Sequence, residues 1–138
     1  MKAFQRSLRA ACSVAVGACF ATLAHAADVT VHLSGASEVP PVTSSATGDA
    51  TLSVGADGSV SGSIMTKGID GTMAHIQQAA AGQNGPVIVK LVKDGESFKV
   101  PPGAKLDEAQ MKAWKAGELY LNVHSAAHQG GEIRGQIK

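Results

Sequence analysis

Beyond the first 26 residues the side chains able to do chemistry are few. His32, His75, His124 and His128 are the imidazoles there, and both cysteines, Cys12 and Cys19, lie before that point. The remaining chain has no thiolate to act as nucleophile or metal ligand and no thiol pair to oxidise. It also lacks Gly-x-Ser-x-Gly and His-Glu-x-x-His, the spacings that place a hydrolase serine or a catalytic zinc. An enzyme is therefore not expected. Imidazole ligation is the chemistry left, and neutral imidazole binds transition metals well. Met73 precedes His75 by two residues, a spacing that puts a thioether and an imidazole on one face of a strand. His124 and His128 lie four apart across the end of a strand and the connection after it. His75, His124 and His128 are the candidate metal ligands, with Met73 and Gln77 as neighbours. Histidine with methionine suits copper, and histidine alone also suits zinc. Asn122, Gln77 or Glu132 are candidates to orient the second ring nitrogens. The other use of these imidazoles is to hydrogen-bond backbone and hold the ends of the fold. His32 reads as a solvated strand histidine, and Glu38 as a surface charge.

These side chains have to be positioned by strands. Leu119, Leu121 and Val123 alternate with Tyr120, Asn122 and His124, and Ile133 and Ile137 return with Arg134 and Gln136 between them. A period of two predicts one buried and one polar face, with His124 on the polar side. Residues 125–131 are small, polar and end in Gly130-Gly131, so they connect two strands. Upstream, Val29, Val31 and Leu33 predict a first strand, expected at an edge. Ala50, Leu52 and Val54 pair with Val60, Gly62 and Ile64 through an Asp57-Gly58 turn. Residues 73–78 predict a strand with Ala74 and Ile76 on one face and Met73, His75 and Gln77 on the other. The run from Val87 to Leu91 is nearly all apolar and is expected to be central. Phe98 and Val100 make a short return.

Residues 106–117 predict the one helix. Asp107 and Gln110 have capping-box spacing, Leu106 and Met111 suit a hydrophobic staple, and Gly117 stops the helix. Many short strands, one helix at about 107–116 and Gly/Ser/Pro turns predict an all-β sandwich or barrel in one domain.

Residues 1–26 read as a secretory signal peptide. Lys2, Arg6 and Arg9 precede an apolar stretch, and Ala24-His25-Ala26 makes a cleavage site. The apolar stretch is short of the about 20 residues a spanning helix needs. No membrane span is expected after cleavage, and the remaining 112 residues suit one domain at 27–138. The leader takes three of the twelve basic residues, leaving nine against eleven acidic, a net charge of −2. Nucleic acid is therefore not an expected partner. The expected location is secreted or periplasmic.

Three segments carry a family resemblance. They are LSGASEVPPVTSSATGDATLSV, then AHIQ with GQNGPVIVKL, then ELYLNVHSAAHQGGEIRGQI. Together they resemble the CHRD domain, named for chordin and widespread in secreted bacterial proteins, over nearly the whole of residues 29–137. The resemblance implies a Greek-key β-sandwich like that of copper-zinc superoxide dismutase, an immunoglobulin-like architecture. In chordin the domain belongs to an extracellular protein that binds growth-factor ligands. Family members often carry His-Ile-His-Gly where this chain has His75-Ile76-Gln77-Gln78, so one histidine of that pair is replaced here. His124 matches the Asn-Val-His motif, and His128 with Gly130-Gly131-Glu132 matches the family pattern on its C-terminal side. Superoxide dismutase activity needs more histidines than these four. The expected function is a non-catalytic interaction module with an unknown extracytoplasmic protein partner, or else a histidine-based copper or zinc binding protein.

Overall fold

The computed structural model describes residues 27–138. The leader and its cleavage site lie outside the described residues. The described residues are organised around one antiparallel sheet. Its strands are β1 (Ala27–Ser34), β2 (Thr47–Val54), β3 (Val60–Lys67), β4 (Gly71–Gln78), β5 (Val87–Lys90), β6 (Val92–Asp94), β7 (Ser97–Lys99), β8 (Leu119–Ser125) and β9 (Ile133–Ile137). They hydrogen-bond in the order β5-β4-β8-β9-β1-β2-β3-β7-β6. The two ends of that order, β5 and β6, are consecutive in the chain and flank Leu91. Leu91 still donates its N–H to Ala74 of β4 (2.9 Å) while the next residue pairs with β7. The sheet thus curls until the chain itself bridges its edges. The result is a nearly closed, sandwich-like all-β fold with one core.

This arrangement corrects two strand placements. β1 is not an edge: it pairs with β2 over its full length and meets β9 at Ser34↔Arg134. The apolar run 87–91 is not central: it forms β5 at one end of the sheet and leads through Leu91 into β6 at the other, with Val89 and Leu91 inward and Val87 and Val92 substantially exposed. The apolar run is explained by the closure. Its inward residues, Val89 and Leu91, face the core at the seam, and Val87 and Lys90 face outward, with valine suited to a strand even where it is exposed.

The alternation is otherwise obeyed. Leu33, Leu52, Ile64, Ile76, Leu121 and Ile133 are among the side chains sealed in the interior. The β2–β3 hairpin turns at Asp57-Gly58, where the Asp57 carboxylate accepts from the Ser59 N–H and hydroxyl. Helix α1 (Glu108–Ala116) has the full capping box: Gln110 N–H donates to Asp107 Oδ1 (2.8 Å) and Asp107 N–H to Gln110 Oε1 (2.9 Å). Gly117 ends it at φ 73°, and Glu118 N–H reaches back to Ala113. Leu106 and Ala113 enter the core from this helix region, with Met111 and Trp114 packed partly against it. Among the described residues no helix is long and apolar enough to cross a membrane.

Candidate functional site

β8 positions the site. It lies between β4 and β9, and every residue from Leu119 to Ser125 is buried. The expected polar, open face of this strand is therefore closed as well. Tyr120, Asn122 and His124 point away from the core, and loops 35–46 and 79–86 and the turn 125–131 cover them.

His124 lies opposite Met73 in the β4–β8 register, and His75 lies opposite Asn122. Opposed residues of an antiparallel pair share a face, so Met73, His75 and His124 stand together. His75 Nδ1 is 3.1 Å from His124 Nε2, with the rings edge to face at 4.9 Å between centroids. His124 Nδ1 is 2.9 Å from the Gln129 carbonyl oxygen. A carbonyl only accepts, so Nδ1 carries the proton of neutral His124 and Nε2 offers a lone pair. His75 Nδ1–H then donates to that lone pair. Desolvation lowers the His75 pKa, and the neighbouring His124 and Lys90 lower it further. His75 is thus held neutral at neutral pH.

His128 is fixed through its backbone: its N–H donates to the Ser125 carbonyl (3.2 Å) and hydroxyl (3.1 Å), closing the turn. Among the described residues no three His, Cys, Asp or Glu side chains are grouped to hold a metal ion. The structure brings together His75 and His124 of the expected set. The expected orienting residues are occupied elsewhere. Gln77 Nε2 donates to the Gly85 carbonyl (2.8 Å) and the Tyr120 hydroxyl (2.9 Å). Glu132 accepts from the Ser44 hydroxyl (2.8 Å). Asn122 donates to Glu38. The Gln129 carbonyl orients the ring instead.

Next to the imidazoles is a second polar cluster. Glu38 is not a surface charge: it is 5% exposed and accepts from Asn122, itself 2% exposed. Burial pushes the Glu38 carboxyl up to about 7, against the smaller lowering effects of Asn122, the Arg134 charge and the Val39 N–H. Arg134 is 1% exposed and lies over the Tyr120 ring, 3.6 Å from its centroid. Its guanidinium donates to the Gln83 carbonyl (2.7 Å), the Ala80 carbonyl (3.3 Å), Asn84 Oδ1 (3.3 Å) and Gln136 Oε1 (3.2 Å). Asn84 in turn donates to the Val39 carbonyl (2.7 Å), tying the two covering loops together. Gly131, at φ 121°, packs against this cluster. A Cβ there would lie 2.6 Å from Asn122 Nδ2 and 2.7 Å from Glu38 Oε1. A cleft of about 640 Å³ opens beside the cluster, lined by His32, Ser37, Glu38, Ala81, Arg134 and Gln136 among others.

Sequence reasoning missed Glu38, Arg134 and the cleft. A signal was present: Glu38, Asn84, Asn122 and Arg134 each sit in one of the segments that carry the family resemblance, and the structure gathers all four. The family model for the CHRD domain matches residues 29–137. This chain belongs to the CHRD domain family. Comparison with curated proteins and with solved structures finds no match. In this CHRD domain the segments that define the resemblance are far apart in the chain, and they meet at the loop-covered face of β8.

Proposed function

We propose that this CHRD domain is an exported, non-catalytic binding module whose recognition surface is the cleft beside β9. One observation carries the reading: Glu38, Asn122 and Arg134, polar groups of the motif segments, are turned inward and hydrogen-bonded within the fold. Arg134 directs its donors to loop carbonyls and to two side-chain amides. Glu38 is engaged by Asn122. A reactive constellation needs groups that reach a substrate atom. Groups sealed in this way shape loops instead, and shaped loops over a rigid sheet are where binding surfaces are built. The A-x-A leader and the mature charge of −2 support an extracytoplasmic, non-nucleic-acid partner. The test is retention of components of the exported fraction on immobilised mature chain. Ala81→Trp fills the cleft, and Asp57→Trp places the same bulk on the β2–β3 turn. A component kept by wild type and Asp57→Trp but lost by Ala81→Trp is expected. Equal retention by all three, or none by wild type, defeats the reading.

A second reading, copper or zinc binding, is favoured by the His75–His124 contact. Two metal–nitrogen bonds of about 2.0–2.1 Å meeting at roughly 100° span about 3.1 Å. The two ring nitrogens already stand at that separation. Calorimetry on wild type and His75→Ala tests it, and heats that match for the two proteins would remove it.

A further inference from the structure

We propose that Met73 completes the His75–His124 pair as a third ligand, making a site on the outer face of β4 and β8 selective for Cu(I). The inference rests on the metal reading above and narrows it to one ion. Met73 is directly opposite His124 in register and two residues from His75 on the same face. Opposed Cβ atoms in such a pair are about 4.5–5.5 Å apart, and methionine has three rotatable bonds to bring sulfur inward. Met73 is 49% exposed, so little of its apolar surface is committed to the core. Two imidazoles and a thioether are a soft donor set without carboxylate or thiolate, and that composition selects cuprous copper over zinc. Charge points the same way. Lys90 is opposite His75 in the β4–β5 register, and its positive charge is felt at the imidazole. A monovalent ion is repelled by it less than a divalent one.

Binding asks for little rearrangement. His124 already holds its proton on Nδ1 against the Gln129 carbonyl, leaving Nε2 as a lone pair. That carbonyl serves the orienting role usual for ligating histidines. At His75 the proton moves from Nδ1 to Nε2, a change of neutral tautomer with no net proton released. Two lone pairs are then available, and the ion sits to one side of the former hydrogen bond, about 2 Å from each nitrogen.

The test titrates the mature chain anaerobically with Cu(I) against bicinchoninate, and in parallel with Zn(II) against a chromophoric chelator. One equivalent of Cu(I) is expected. Met73→Leu should weaken Cu(I) by at least about tenfold, the lower end of what loss of even an orienting group costs a metal site, and leave Zn(II) unchanged. His75→Ala should weaken both ions, and His32→Ala neither. X-ray absorption at the copper edge should show a sulfur scatterer in wild type that is lost in Met73→Leu. Because Met73 is exposed, its variant should melt with wild type, which separates ligand loss from unfolding. Cu(I) affinity unchanged in Met73→Leu overturns this inference while leaving the two-imidazole reading in place. A wild-type chain that binds neither ion overturns both.

Discussion

Glu38→Gln isolates the energetic consequence of burying a carboxyl in the β8 cluster. Glu38 has a folded pKa of about 7 against 4.5 for the ordinary group. The folded state therefore keeps its proton up to about pH 7, whereas the unfolded chain gives it up near 4.5. Between those values the folded state binds more protons, so stability falls as pH rises through the window. At 1.36 kcal/mol per pKa unit the full effect is on the order of 3 kcal/mol. Burial is the main cause, and it acts on the charged form only. Glutamine has nearly the same shape, can accept from Asn122 through its carbonyl, and does not titrate. The two proteins should have similar stability at pH 5, and Glu38→Gln should be the more stable by about 3 kcal/mol at pH 8. For a domain near this size that corresponds to on the order of 15 °C in Tm. Other groups, His75 among them, titrate in both proteins and cancel in the difference. Thermal and denaturant melts at pH 5, 6, 7 and 8 provide the measurement. A wild-type-minus-variant difference that does not change with pH would show that Glu38 ionises as a solvated carboxyl does, and would refute its desolvation in the cluster.

Adjacent glycines should behave differently. Gly131→Ala should cost about 1–3 kcal/mol from backbone strain alone, with more from the overlap with Asn122 and Glu38. Gly130→Ala, with nothing within 4 Å of its Cβ, should be tolerated. Urea midpoints for the two variants decide this, and equal losses would contradict the packing at Gly131. Asp107→Ala should remove the acceptor bonded to Gln110 N–H and cost about 1 kcal/mol; an unchanged midpoint would mean the cap contributes nothing. Intact mass of the exported protein should correspond to a chain beginning at Ala27, and a mass that retains Cys12 and Cys19 would refute cleavage after Ala26.

Much of this architecture was readable one segment at a time. The β2–β3 hairpin, the capped helix and the inward sets on β4, β8 and β9 depend on neighbours within a few residues, so alternation and turn chemistry suffice to find them. The family resemblance likewise needed only the linear motifs. What the chain in isolation did not reveal is which strands stand side by side. β1 read as an edge and residues 87–91 as central because burial of a strand's two sides depends on partners supplied from elsewhere. Glu38 read as a surface charge for the same reason: its partner Asn122 is 84 residues away, and only the loop closing over β8 removes the water. The His75–His124 contact spans 49 residues and comes from β4 and β8 being neighbours in register. Alternation reports that a strand has two faces. Whether the second face meets solvent, a loop or another imidazole is settled by the tertiary fold, because desolvation and hydrogen bonding act between atoms close in space however far apart they lie in the chain.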